Sequence, residues 1–86
     1  MTALTIFIDG NAYASKHELH QALKMLLELP EHYGCNADAL YDCLSERTGK
    51  PVNLCLLSTG EGEVADALNK IVHVIEDLGG DTKIVD

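Results

Sequence analysis

The chain has 86 residues, 47% of them hydrophobic, and its 6 Lys and Arg against 14 Asp and Glu give a net charge of −8 at pH 7. A chain of this size buries roughly 60% of its surface, enough for one domain over 1–86 without staples. The acidity argues against nucleic acid or an anionic membrane as partner and points to a basic one. Residues 4–8, LTIFI, are rich in β-branched and aromatic side chains and run into Asp9-Gly10-Asn11, which predicts a strand and then a turn. Ser15 with Glu18 is a capping box, and Leu19, Ala22, Leu23, Leu26 and Leu27 supply the apolar face of a helix over 16–28. Pro30 cannot continue that helix, and Gly34 can take positive φ, so a sharp break is expected between them. Asn36 is an N-cap for a second helix over 37–46, in which Ala37, Leu40, Tyr41 and Leu44 form one buried stripe and after which TGKP at 48–51 closes the segment. The run VNLCLL at 52–57 has the pattern of a strand covered on both faces. After a glycine-containing loop, Val64, Leu68, Ile71, Ile75 and Leu78 mark a helix from 63 to Gly79-Gly80, and 82–85 is a last short strand. The order implies an α/β fold, a small three-stranded parallel sheet packed against about three helices by right-handed crossovers.

Asp38 and Asp42 lie one turn apart opposite the apolar stripe. The dipole favours an anion at Asp38, in the first turn, but Asp42 lies too far along and adds like-charge repulsion of about 0.2–0.5 kcal/mol. Folding alone gives Asp42 little reason to be there.

Other chemistry is sparse. Neither Asp9-Gly10-Asn11 nor TGEG at 59–62 makes a phosphate loop, and no serine sits in a nucleophile elbow. The spacing of His32, Cys35 and Cys43 matches no zinc pattern, and two exposed carboxylates without a third ligand do not make a metal site. No cofactor or metal is expected, and no catalytic residue is assigned. His17 and His20 read as surface or boundary residues beside the first helix's stripe. Cys35 lies next to a helix N-terminus, which can lower a thiol's pKa, but nothing nearby would resolve it. Three cysteines cannot form a closed disulfide set, and Cys43 and Cys55 sit in apolar patterns, which suits a reducing cytosol. The start, MTALTIFID, has no basic region and reaches Asp9 after a short apolar run, so neither signal peptide nor membrane span is expected and a cytoplasmic location is.

Residues 18–44, ELHQALKMLLELPEHYGCNADALYDCL, resemble the barstar family of intracellular inhibitors of barnase-type ribonucleases. The likeness lies in LHQ at 19–21, LPE at 29–31, Tyr33-Gly34, Asn36, Asp38-Ala39-Leu40 and Asp42-Cys43-Leu44. It covers about a third of the chain directly, and the element order agrees for the rest. The resemblance implies a non-catalytic inhibitor whose acidic loop and second helix plug the active site of a basic ribonuclease. Asp38 and Asp42 fall on the two central acidic positions, with His32, Tyr33 and Tyr41 as flat contact area, Gly34 giving backbone proximity, and Asn36 in the same segment. A monomer when free, with no direct nucleic-acid or membrane binding, is the matching expectation. Departures stand at the edge: His32 replaces a tyrosine, Cys35 an acid and Tyr41 a tryptophan. The family prototype's contact acid in the last helix aligns with Val74, with Glu76 and Asp77 on other faces. The stretch 57–64 is too short for the extra short helix the prototype carries. The same features also allow an acidic interaction module whose partner is not a ribonuclease.

Overall fold

The computed structural model of the chain describes residues 4–46 and 51–85. Its elements are β1 (Leu4–Asp9), a 3-10 turn (Gly10–Ala12), α1 (Lys16–Leu26), α2 (Ala37–Ser45), β2 (Val52–Ser58), α3 (Gly62–Asp77) and β3 (Thr82–Ile84). The strands pair in parallel in the order β1-β2-β3, with Ile6 opposite Leu54 and Leu56 opposite Ile84. This is the expected α/β arrangement. The proposed closing residues of α2 at 48–50 lie outside the described residues.

The sheet grows in one direction, and parallel crossovers share one hand, so α1, α2 and α3 are carried to the same face. The core forms there. Ile6, Ile8, Val52, Leu54 and Leu56 point from the strands towards Leu19, Leu23, Leu40, Leu68 and Ile71. The expectation that 52–57 is covered on both faces is corrected accordingly. In β2, Val52, Leu54 and Leu56 are buried, whereas Asn53 and Cys55 are half-buried and Leu57 is 48% exposed. Phe7, beside Cys55 in the register, is 61% exposed on the same outer face. A continuous apolar run marks a two-sided strand only when crossovers pass on both sides.

Helix α1 starts as its capping residues require, with Ser15 Oγ accepting from the Glu18 N–H at 3.2 Å. Glu18 itself reaches past the cap to the Ala14 N–H at 3.1 Å. The amino ends of α1 and α3 are joined where the Lys16 N–H donates to the Glu63 carboxylate at 2.9 Å.

At its other end α1 stops two residues before the predicted limit, and it stops before Pro30 can act. The Leu29 N–H donates to the Lys24 carbonyl at 2.9 Å and the Glu28 N–H to the Met25 carbonyl at 3.4 Å, a Schellman closure with Glu28 in the left-handed region at φ +53°. Helix α3 closes in the same way, but there the left-handed residue is Gly79, at φ +89°. Gly80 follows because a Cβ at that position would collide with the Val52 carbonyl oxygen, so no side chain fits between α3 and β2.

In the bend after α1, the Tyr33 N–H donates to the Pro30 carbonyl at 3.0 Å. Leu29 and Tyr33 both enter the core. The residue at positive φ is Cys35, at +53°, and not Gly34, which corrects the sequence expectation. The chain must first insert Tyr33, and it reverses only at the residue immediately before the Asn36 cap.

Glycine in place of Glu28 adopts the left-handed closure without the Cβ clash. Glu28→Gly should therefore stabilise the protein by about 0.5–1 kcal/mol, after allowing for glycine's larger entropy in the unfolded chain. Urea unfolding checks this, and a midpoint at or below that of the parent chain would count against a strained cap at Glu28.

Candidate functional site

Helix α2 is set by its cap and its two anchors. The Asn36 side-chain oxygen accepts from the Ala39 N–H at 2.8 Å, and its amide donates to the Gly34 carbonyl at 3.3 Å. Leu40 and Leu44 are buried, which turns Asp38 and Asp42 outward to solvent. Neither aspartate takes part in an ion pair among the described residues, where the pairs are Lys24 with Glu31 and Lys70 with Asp66. Asp38 sits in the first turn of α2, and the last turn contains no basic residue.

The remaining predicted site residues divide by burial. His32, Gly34 and Asn36 are exposed. Tyr41 is 43% exposed, so it leaves the buried stripe expected of it and stands beside Asp42. The stripe on this short helix is narrow: Leu40 and Leu44 fill it, and Ala37 is only half-buried. Tyr33 takes the opposite course. At 7% exposure its ring belongs to the core and is not the flat contact surface expected from the sequence.

Tyr33 is held by a second residue that sequence reasoning placed at the boundary. His20 is 3% exposed, and its Nδ1 lies 2.6 Å from the Tyr33 hydroxyl, with the rings 5.8 Å apart and tilted by 49°. Burial, and secondarily the charges of His17 and Lys16, lower the His20 pKa. Burial, and then Cys35 and Cys43, raise that of the Tyr33 phenol. The pair is thus neutral at pH 7 and shares one hydrogen bond. It ties α1 to the 29–36 segment from which the site is built. The helical spacing of Leu19, Leu23 and Leu27 does not mark His20 as inward, because that position becomes interior only when the following loop folds back over α1.

Between this segment and α2 lies an open cleft of about 760 Å³. His32, Tyr33, Gly34 and Asp42 line it, together with Glu28 and Glu46, which the sequence does not single out. Across 28–46 the acids are Glu28, Glu31, Asp38, Asp42 and Glu46, and there is no Lys or Arg. An arrangement of this kind can take up cationic groups. No group of three His, Cys, Asp or Glu among the described residues is placed to hold a metal ion. No helix among them is long and apolar enough to cross a membrane.

A comparison with protein families matches residues 3–83 to the barstar model, described as "Barstar (barnase inhibitor)". The chain belongs to the barstar family. It is also 37% identical, over 93% of its own length and 94% of the other's, to the Bacillus subtilis (strain 168) protein named "Putative ribonuclease inhibitor YrdF". Val74, which the resemblance sets against the prototype's contact acid, is 8% exposed and packed in the core, while Glu76 and Asp77 face solvent. β2 ends at Ser58 and α3 begins at Gly62, so no extra helix fits between them.

The buried histidine gives the fold a pH dependence with a defined sign. Because the folded state lowers the His20 pKa below its ordinary 6.5, the unfolded chain binds this proton more readily. The contribution is complete above pH 6.5 and is lost as the pH falls below it, at no more than about 1.4 kcal/mol per pH unit for one proton. Urea midpoints between pH 7.5 and pH 5.5 should fall more steeply for the parent chain than for His20→Gln. Equal slopes would remove His20 as the cause.

Proposed function

We propose that this protein is a non-catalytic inhibitor that binds a basic barnase-type ribonuclease one to one and blocks its active site with the acidic face of residues 29–44. The observation that carries the reading is the exposed pair Asp38 and Asp42 on a barstar-family helix, with no ion-pair partner among the described residues. Family membership and the name of the relative support the ribonuclease-inhibitor role itself. A ribonuclease cleft that binds RNA phosphates presents cations, and carboxylates that repel one another on the free surface become charge-assisted hydrogen-bond acceptors inside it. His32 and Tyr41 supply exposed flat contacts around the pair. Gly34 lets the partner approach the backbone. Tyr33 contributes by holding the loop from beneath rather than by presenting its ring. The net charge of −8 steers a basic partner to this protein, which acts in the cytoplasm as a monomer until it meets the enzyme.

Asp38→Ala and Asp42→Ala should each weaken inhibition of a cognate ribonuclease by at least about tenfold, or about 1.4 kcal/mol. The same substitutions should leave folding stability within about 0.5 kcal/mol, as expected for exposed side chains. Association of the parent chain should slow with added salt. A tight complex that survives loss of both aspartates would place the site elsewhere. Gly34→Ala separates the free protein from the complex: its Cβ would meet only the Ala39 Cβ at 3.4 Å and the Asn36 amide at 3.5 Å, ordinary contacts that leave the fold intact.

A second reading is a barstar-like interaction module whose partner is not a ribonuclease. It is favoured by Val74 being buried where the prototype has a contact acid, and by His32 and Cys35 in the loop. A pull-down from the native host that recovers a small basic nuclease supports inhibition, and recovery of only other proteins supports the module.

A further inference from the structure

We infer that Lys24 of α1 is a positioning residue for the inhibitory segment, whose ammonium and carbonyl together hold the turn that presents His32. That the turn serves inhibition rests on the inhibitor reading, and that Lys24 holds it rests on contacts within the free chain. The Tyr33 N–H donates to the Pro30 carbonyl at 3.0 Å, which closes a β-turn with Glu31 and His32 at its corners. Among the described residues, the hydrogen bonds that reach those corners come from Lys24. Its Nζ lies 3.4 Å from the Glu31 carboxylate and 3.5 Å from the Glu31 carbonyl. That carbonyl shares a planar peptide with the His32 N–H, so fixing it fixes the direction from which His32 leaves the turn. The Lys24 carbonyl accepts from the Leu29 N–H at 2.9 Å, just before the turn begins. His20, one helical turn earlier on the same face of α1, meets the Tyr33 hydroxyl at 2.6 Å. Helix α1 therefore grips the segment at Leu29, Glu31 and Tyr33, whereas His32 and Gly34 are exposed.

Stability alone gives this lysine little to do. The Glu31 side chain is fully exposed, and a solvated ion pair of this kind adds little to the folding balance. The Lys24 side chain is only 30% exposed, so its stem is covered and delivers the ammonium to the turn along a restricted path. Attraction of a basic partner gives a lysine no role either. The stretch 28–46 contains no Lys or Arg, and a cation just before it weakens the acidic field that steers the partner. A charge effect and a positioning effect consequently differ in sign. If Lys24 acted on the partner by charge, its removal would speed association and tighten the complex. If it positions the turn, its removal speeds dissociation, because the complex must then order residues 31–33 at its own cost.

Lys24→Met keeps an unbranched stem and removes the ammonium, and Lys24→Arg keeps the charge. In the free full chain, amide NMR relaxation should show lower order at Glu31 and His32 in Lys24→Met and parent-like order in Lys24→Arg, with both unfolding midpoints close to that of the parent chain. Against a barnase-type ribonuclease that the parent chain inhibits, the complex of Lys24→Met should dissociate about fivefold faster, with an association rate equal to or above the parent's. Lys24→Arg should bring dissociation back to within about twofold of the parent rate. A merely structural role for Lys24 would lower the unfolding midpoint and leave this split between the two rates unmade. Unchanged order at Glu31 and His32 overturns the proposal. If the parent chain inhibits the enzyme and Lys24→Met dissociates no faster, the positioning role falls and the inhibitor function stands. If order at the turn is lost in Lys24→Met but the parent chain inhibits no basic ribonuclease, the inhibitor function falls and the hold of Lys24 on the turn stands.

Discussion

Three parallel strands that advance in one direction, joined by crossovers of one hand, leave helices on only one side of the sheet, and the rest of the structure depends on that asymmetry. One face of β1 and β2 supplies the core, while Phe7, Leu57 and the half-buried Cys55 occupy the other. The small core can close only if the first crossover, which holds two helices, folds compactly over β1 and β2. That is why the segment between α1 and α2 is not a free loop. It buries Leu29 and Tyr33, and the His20 to Tyr33 hydrogen bond fixes it to the helix before it.

A loop tied down in this way gives the acidic face a rigid base. The Asn36 cap starts α2 at a defined residue, and Leu40 and Leu44 then set the rotation of the helix about its axis. Asp38 and Asp42 are consequently presented from a capped and anchored helix, and under the proposed function preorganisation of this kind lowers the cost of binding. The opposing cost appears in the free protein, as like charges one turn apart and as acids at the wrong end of α2. Under the proposed function, stability and binding pull in opposite directions at these side chains.

The elements themselves were legible along the chain because each rests on local rules. Ser15 and Asn36 cap where their side chains predict, Val64, Leu68, Ile71 and Ile75 share one buried face as their spacing requires, and the glycines at 79 and 80 end α3. The candidate aspartates were legible for the same reason: a capped helix with a defined stripe has a defined opposite side. The family resemblance then attached a role to that side, which periodicity alone could not do. Less legible were positions whose environment is made by residues distant in sequence. His20 is adjacent to a stripe and becomes interior when Tyr33 folds onto it. Tyr41 has the spacing of a core residue but lies at the flank of a narrow contact.

By itself, the amino-acid sequence determined the order of strands and helices, where the helices begin, and the outward direction of Asp38 and Asp42, because turn chemistry, capping and the 3.6-residue period act within a few residues. The tertiary structure alone decided that the sheet is covered on one face, that Cys35 rather than Gly34 carries the reversal, that Tyr33 is interior, and that Glu28 and Glu46 share a cleft with Asp42. Each of those outcomes depends on which crossover passes over which strand, a relation between segments that no local window of the chain contains.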